Sequence, residues 1–354
     1  MATEPKIIVK EEAVSIPQNA EGNILKQDSI AIIGAFDSEI TALTTCTTAR
    51  EAHQKFGTMA TEGDFKGTDA IDGLFFGASN LLVANITTWS ESTASTTVTT
   101  EKLEAALALL HNERFDILYI ADQLSDAHQT IVSAWLDAEF EAKYPHGQIA
   151  QLQQSSAAAY GTSVNKFNNN VYYINTQQFT VNGETLSLNR STAFIAGYIA
   201  SLDIDESLTA QIIPGITGVT PEYSTAVGEM GATLLGLNVP FLKPFNRMSK
   251  TYYCVNSELP DELDLYINRT RDSILNNLAV ETYLGKKNNT ETEEGIITVI
   301  EGLKQDYIKN LQLIEGLTYH VNKTSSKCVD VVIDKMVFAD IITTINVTYS
   351  VEVQ

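Results

Sequence analysis

The chain has 354 residues, 44% hydrophobic and 19% charged, enough for two or three packed cores and unlike a disordered or fibrous chain. Twenty-three Lys and Arg stand against 44 Asp and Glu, a formal net charge of −21. That shortage of cations excludes a surface built to neutralise nucleic-acid phosphates or to dock on an anionic membrane.

The charge is also uneven. Residues 240–354 hold 12 basic and 16 acidic side chains, net −4, and the residues before them hold 11 and 28, net −17. Cys46, Cys254 and Cys328 are far apart and form neither a CxxC pair nor a disulfide framework, so small core residues in a reducing compartment are expected. Met1–Lys10 has no basic and apolar leader pattern, and no run approaches a membrane span, so synthesis in the cytoplasm is expected.

Residues 1–27 are poor in apolar side chains apart from Ile7-Ile8-Val9 and Ile24-Leu25, with Pro5 and Pro17 as breaks. The pattern fits an extended arm with one short strand at Ile7, Ile8 and Val9, or a disordered tail. From Ser29, short apolar runs alternate with amphipathic stretches. Strands are predicted over Ile30–Phe36, Asn80–Ile86 and Ile117–Ala121. Helices are predicted over Ala49–Phe56, Asp69–Ala78 and Glu101–His111, the last capped by Thr100 and burying Leu103, Leu107 and Leu110. A further helix sets Ile131, Ala134, Trp135 and Ala138 on one face and ends before Pro145. This alternation predicts a mostly parallel sheet covered by helices.

Between Val171 and Leu188 the period falls to two around Asn182-Gly183, a dipeptide whose tolerance of positive φ predicts a hairpin projecting from the α/β domain. A helix follows through Ala193, Ile195, Ala196, Ile199 and Ala200, then a Pro/Gly-rich loop at Pro214–Pro221. A second domain is expected from Pro240, with a strand at Thr251–Val255 and helices over Pro260–Leu284 and Glu291–Leu313. In the second of these helices, Ile297, Ile300, Leu303, Tyr307, Leu311 and Ile314 form the apolar stripe. Strands at Leu317–Val321 and Cys328–Phe338 come next. The last stretch alternates strictly: Ile345, Val347, Tyr349, Val351 and Val353 face one way, Asn346, Thr348, Ser350 and Glu352 the other. It is a strand, paired either in its own sheet or with a neighbouring molecule.

Motifs for catalysis are missing from this pattern. His53, His111, His128, His146 and His320 show no HExxH or His-x₃₋₅-His spacing and read as surface or capping residues. Gly215–Gly218 and Gly228–Gly231 match neither GxGxxG nor GxxxxGK[ST], and no GxSxG is present. No catalytic, cofactor or metal residue is assigned.

Four segments, in this order, resemble the tail sheath subunit of contractile phage tails and phage-tail-like bacteriocins. They are Ser191-Thr192-Ala193-Phe194-Ile195-Ala196-Gly197-Tyr198-Ile199-Ala200, Tyr253-Cys254-Val255-Asn256-Ser257, Tyr283-Leu284-Gly285-Lys286-Lys287-Asn288-Asn289, and Ala339-Asp340-Ile341-Ile342 followed by Ile345-Asn346-Val347-Thr348. Asn256-Ser257 stands where the family has Asn-Thr, and Thr343-Thr344 where it often has Glu-Lys. The resemblance implies an α/β plus α+β protein. Its parts would be an N-terminal arm (1–27), an outer α/β domain (28–239, hairpin near 171–188), a C-terminal tube-facing domain (240–344) and a terminal arm (345–354).

It further implies that the arms are given to neighbouring subunits and complete a sheet in their C-terminal domains. That puts Ile7, Ile8, Val9, Ile345, Val347, Tyr349, Val351 and Val353 in the inter-subunit interface with Val329, Val331 and Ile333. Residues 20–26 and 339–344 would be the hinges. Lys286, Lys287, Lys304 and Lys309 are candidates to face a tail tube. The implied partners are further copies of the chain, the tube protein, and baseplate and terminator proteins, with no cofactor, nucleic acid or membrane contact. Assembly would take place in the bacterial host cytoplasm and end in a released particle. The competing readings are a hydrolase-like α/β enzyme with a self-contained last strand, and a non-contractile shell protein.

Overall fold

Ser29–Phe36 (β1) is the strand about which the main sheet is ordered, and from Ile30 onward every residue in it is buried. In the computed structural model, the residues described are 29–36, 42–57, 67–88, 98–121, 123–141, 146–164, 171–175, 177–202, 208, 211–237, 239–244, 252–255, 290–310, 314–325 and 328–338. The expected arms (1–27 and 345–354), the helix at 260–284 and both hinges lie outside them. Along the chain β1 is followed by Thr44–Cys46 (β2), Ala49–Phe56 (α1), Gly67–Leu74 (α2), Asn80–Thr88 (β3), Thr100–Leu109 (α3), Ile117–Ile120 (β4) and Asp126–Glu141 (α4). Gly147–Leu152 (β5), Ala157–Val164 (α5) and Val171–Asn175 (β6) complete the sheet region. The sheet runs β2-β3-β1-β4-β5-β6, parallel throughout except for the antiparallel edge strand β2.

Helices cover both faces, so the central strands bury side chains in both directions and read as continuous apolar runs. Ile30 and Ile32 point into one core with Ala52 and Phe56 of α1 and Ile71 and Leu74 of α2. Ala31 and Ile33 point into the other with Leu103 and Leu107 of α3 and Val132 and Leu136 of α4. Two helix starts explain their own positions. Thr48 caps α1 by accepting the Glu51 N–H at 3.2 Å, and the Glu51 carboxylate accepts the Thr47 N–H at 3.0 Å, a reciprocal arrangement close to a capping box. The cap of α3 is Thr99, one residue before the expected Thr100, accepting the Lys102 N–H at 3.4 Å.

The buried stripe of α4 differs from the expected one. Gln129, Val132, Leu136 and Glu139 are buried, whereas Ala134 and Ala138 are exposed. Two polar residues in the inward face conceal its 3-4-3 spacing from a hydrophobicity reading. Gln129 meets Gln148 of β5, its Nε2 donating to the Gln148 Oε1 at 2.6 Å, so the buried amides satisfy each other.

Gln178–Val181 (β7) and Glu184–Thr185 (β8) form the predicted hairpin, with Asn182 and Gly183 at φ 52° and 85°. It does not stand alone. Ile216–Thr220 (β9) pairs with β7 inside the stretch expected to be the Pro214–Pro221 loop, because Ile216 and Val219 bury into the first core while Thr217 and Thr220 stay outside. Leu188–Ser201 (α6), capped by Ser187, lies on the same core, and Met230–Gly236 (α7) lies on the other through Leu234. Phe241–Pro244 (β10) and Tyr252–Val255 (β11) pair antiparallel. They lie beyond the expected boundary at Pro240, yet Leu242, Tyr252 and Cys254 join the first core and Phe241 the second. Cys46 and Cys254 are both buried core residues.

Thr290–Gln305 (α8) runs into a single π-helical turn, Asp306–Asn310, and is followed by Ile314–Ser325 (β12) and Cys328–Phe338 (β13). Its buried residues are Ile296, Ile300 and Leu303, continued by Tyr307, while Ile297 is exposed. The inward stripe therefore starts one residue before the expected Ile297, at the 4-3-4 spacing of a true helical face.

Candidate assembly interface

β12 and β13 form a long antiparallel ribbon in which, among the described residues, neither strand has a second partner. Its strands contain 12 and 11 residues. A two-stranded ribbon is marginal in water unless something packs on it or extends it, and no described residue pairs with the N–H and C=O groups of either outer edge. Register shifts near Gly316, at Thr318/Tyr319 and at Lys323/Ser325 twist the ribbon. The first of these helps explain why the sequence shows a strand only from Leu317, since a glycine breaks the alternation after Ile314.

One part of the ribbon is fastened from within the chain. α8 and the π-helical turn pack against β12. Ile314, Leu317 and Val331 are buried, with Val331 opposite Val321. The Tyr319 hydroxyl donates to the Ile297 carbonyl at 3.4 Å. Burial and the neighbouring Glu301 carboxylate push the Tyr319 hydroxyl up to about 12. Farther along, His320 Nδ1 of β12 lies 2.9 Å from the Asp334 carboxylate of β13, a cross-strand pair on an exposed face.

The expected interface residues divide three ways. Val331 is buried in the chain's own ribbon, Val329 is half-buried, and the side chain of Ile333 lies outside the described residues. Ile7, Ile8, Val9, Ile345, Val347, Tyr349, Val351 and Val353 lie outside them altogether, as do Lys286 and Lys287. Lys304 is half-buried, its Nζ 3.3 Å from Glu301, whereas Lys309 in the π-helical turn is exposed.

Elsewhere the buried polar groups mostly close on one another. Tyr119 donates to Asn189, and Gln151 donates to both Asn189 Oδ1 at 2.9 Å and the Tyr119 hydroxyl at 3.2 Å, tying α6 to β4 and β5. Among the described residues no three His, Cys, Asp or Glu side chains come together as a metal site. Of the histidines expected at the surface or in caps, His146 is instead buried, whereas His111 and His320 are exposed and pair with carboxylates, and His53 lies 3.1 Å from the carbonyl of Gly57, the C-cap of α1.

No protein-family profile matches the chain, and no curated protein does. Solved structures do. The sheath tail protein from Desulfitobacterium hafniense superposes with a TM-score of 0.62 at 11% identity, over 93% of this chain and 100% of that one. The fold is that of a tail sheath protein. The sheath tail protein from Listeria innocua gives 0.59 at 12% identity over 87% of this chain and 95% of that one. A chain of the contracted helical sheath of the anti-feeding prophage gives 0.62 at 11% over 97% and 99%. The likeness extends over most of the chain in each case.

Proposed function

We propose that the chain is the structural subunit of a contractile tail sheath, polymerising around a tail tube through exchanged N- and C-terminal strands. The observation that carries this reading is the near-complete superposition on sheath proteins, one of them in a contracted helical sheath. The open edges of β12 and β13 support strand exchange, because a donated strand would satisfy backbone groups that no described residue pairs. Each added backbone hydrogen bond contributes about 1 kcal/mol net. Each buried Val, Ile or Tyr adds up to about 1.5–3 kcal/mol, and ordering the arm opposes this by about 1–2 kcal/mol per residue. One exchange is therefore weak, and repetition along a non-closing helical lattice makes the assembly cooperative.

On this reading contraction is a rigid-body shift between two lattices with arm pairing retained, and it needs no bound nucleotide. The acidic α/β layers would lie outside, with the less acidic C-terminal part toward the tube. Electron microscopy of the purified protein tests the reading. Long and short striated tubes are expected; monodisperse particles under all assembly conditions, or closed shells, would overturn it.

A further inference from the structure

His146 precedes β5 and is buried to 4% exposure between two aromatic rings. Phe115 stacks on it at 3.8 Å between centroids and 4° between planes, and Trp135 of α4 at 5.7 Å and 10°. Its Nδ1 lies 2.7 Å from the Phe115 carbonyl. A carbonyl only accepts, so Nδ1 carries the proton and neutral His146 presents a lone pair at Nε2. That nitrogen is buried without a hydrogen-bond partner among the described residues, and 4.0 Å away stands Oε2 of Glu139, a carboxylate only 1% exposed. Glu139 is already engaged: Oε1 accepts from His111 Nδ1 at 2.5 Å and Oε2 from the Asn112 N–H at 3.2 Å.

We propose that the His146–Glu139–His111 cluster is a proton-responsive latch. At neutral pH it fastens the end of α4 to the start of β5 and to the loop after α3, and acidification releases that edge of the α/β layer.

The argument turns on where a second proton on His146 would go. It would sit on Nε2, buried, facing an oxygen beyond hydrogen-bond reach that is held by Asn112 and shares its carboxylate with His111. Among the described residues, Glu139 from α4 is the charged group facing it, with His111 behind that carboxylate. Glu113 and Arg114 of the loop are exposed, Asp116 accepts from the Ser29 N–H instead, and β5 has no titratable residue. Burial outweighs the attraction of Glu139 and pulls the His146 pKa from 6.5 down to about 4. A group whose folded pKa is depressed in this way favours the unfolded or opened form as pH falls. The stabilising effect is complete above about 6.5, is lost progressively toward pH 4, and amounts to at most about 300-fold in the opening equilibrium.

Trp135 reports on the site directly, and Trp89 is the chain's other tryptophan. In a Trp89→Phe full-length chain, Trp135 emission is expected to hold steady from pH 7.5 to 5.5. Below that it should change together with faster hydrogen exchange, corrected for intrinsic rate, in residues 110–116, 139–141 and 146–147. A separate emission step near pH 6.5 with unchanged exchange would overturn the proposal, since His146 would then titrate without opening anything. His146→Phe keeps an aromatic ring and removes the titration, and its stability should fall less steeply than that of the parent between pH 6.5 and 4. Parallel profiles would overturn the proposal as well. Should His146→Phe not fold, the Trp135 measurement decides alone.

Discussion

Glycine governs the crossing of α2 and α6. A Cβ at Gly197 of α6 would overlap the Gly73 carbonyl of α2, and one at Gly77 would overlap the Gly197 carbonyl. Small residues here allow near backbone contact, and Phe76 packs across the crossing on Phe194, ring centroids 4.7 Å apart and planes tilted by 45°. Gly197→Ala should therefore lower stability by about 1–3 kcal/mol or more through overpacking. Gly161→Ala in α5, where the nearest atom is Leu237 Cδ2 at 3.8 Å, should raise it by up to about 1 kcal/mol through helix propensity. Thermal melts of the two variants check the contrast, and equal shifts would show the crossing to be looser than described. The lysines separate in the same residue-by-residue way. Lys309→Glu changes an exposed charge, whereas Lys304→Glu also sets a like charge against Glu301. If Lys309 faces the tube, its reversal should weaken co-assembly with tubes, more at low salt than at high, and leave the melting temperature of the free subunit unchanged. Equal co-assembly at low salt would remove it from the tube surface.

Between elements, Gln177 joins three pieces of chain. Its Oε1 accepts the Leu242 N–H at 2.7 Å, and its Nε2 donates to the Pro221 carbonyl at 2.8 Å and the Leu242 carbonyl at 3.2 Å. A buried amide here stands in for a strand neighbour and holds β10 and the end of β9 at the β6–β7 bend. Gln177→Leu would leave the buried Leu242 N–H unpaired and remove the donor to two carbonyls, so a loss of at least about 1–3 kcal/mol is expected in urea unfolding, with faster exchange of the Leu242 amide. An unchanged Leu242 exchange rate would mean that β10 is held by packing alone. This joint also shows where sequence reading stops. β1, β3 and β4 were legible because two-sided burial leaves unbroken runs such as Ile30–Phe36, the hairpin because Asn182-Gly183 must take positive φ, and β13 at its full bounds. Strand β9 was not, because glycine and proline around Ile216 and Val219 mask a two-residue inward face. Nor was the inward side of α4, where Gln129 and Glu139 are polar and find their partners only from other parts of the chain. Of the interface, the sequence shows apolar alternation in β13, but the open edges of the ribbon emerge only once strand pairing is known.

At the scale of the whole molecule, superposition over most of the chain at 11–12% identity means that the fold is kept while few side chains are shared. An assembly that depends on main-chain pairing at β12 and β13 tolerates such divergence, since any strand of suitable alternation satisfies an edge. The arms should then be dispensable for folding and indispensable for polymerisation. Among the described residues, the two cores draw on residues 30–254. Removing 346–354, or replacing Val347 or Val351 by Pro where the N–H joins a ladder, should leave the melting temperature of the α/β part within about 1 °C. The same changes should abolish tubes in electron micrographs. Removing 1–22 should do likewise, because Ile7-Ile8-Val9 is the apolar anchor of that segment. Lengthening 20–26 by a few flexible residues is the sharper test. Its loop-entropy cost is only about 0.6 kcal/mol per doubling of length, so tubes should still form. Slower contraction of those tubes would then come from a slack mechanical link. Contraction at the parental rate would show that the arm joins subunits without transmitting their motion, and normal tubes without residues 1–22 would remove it from assembly entirely.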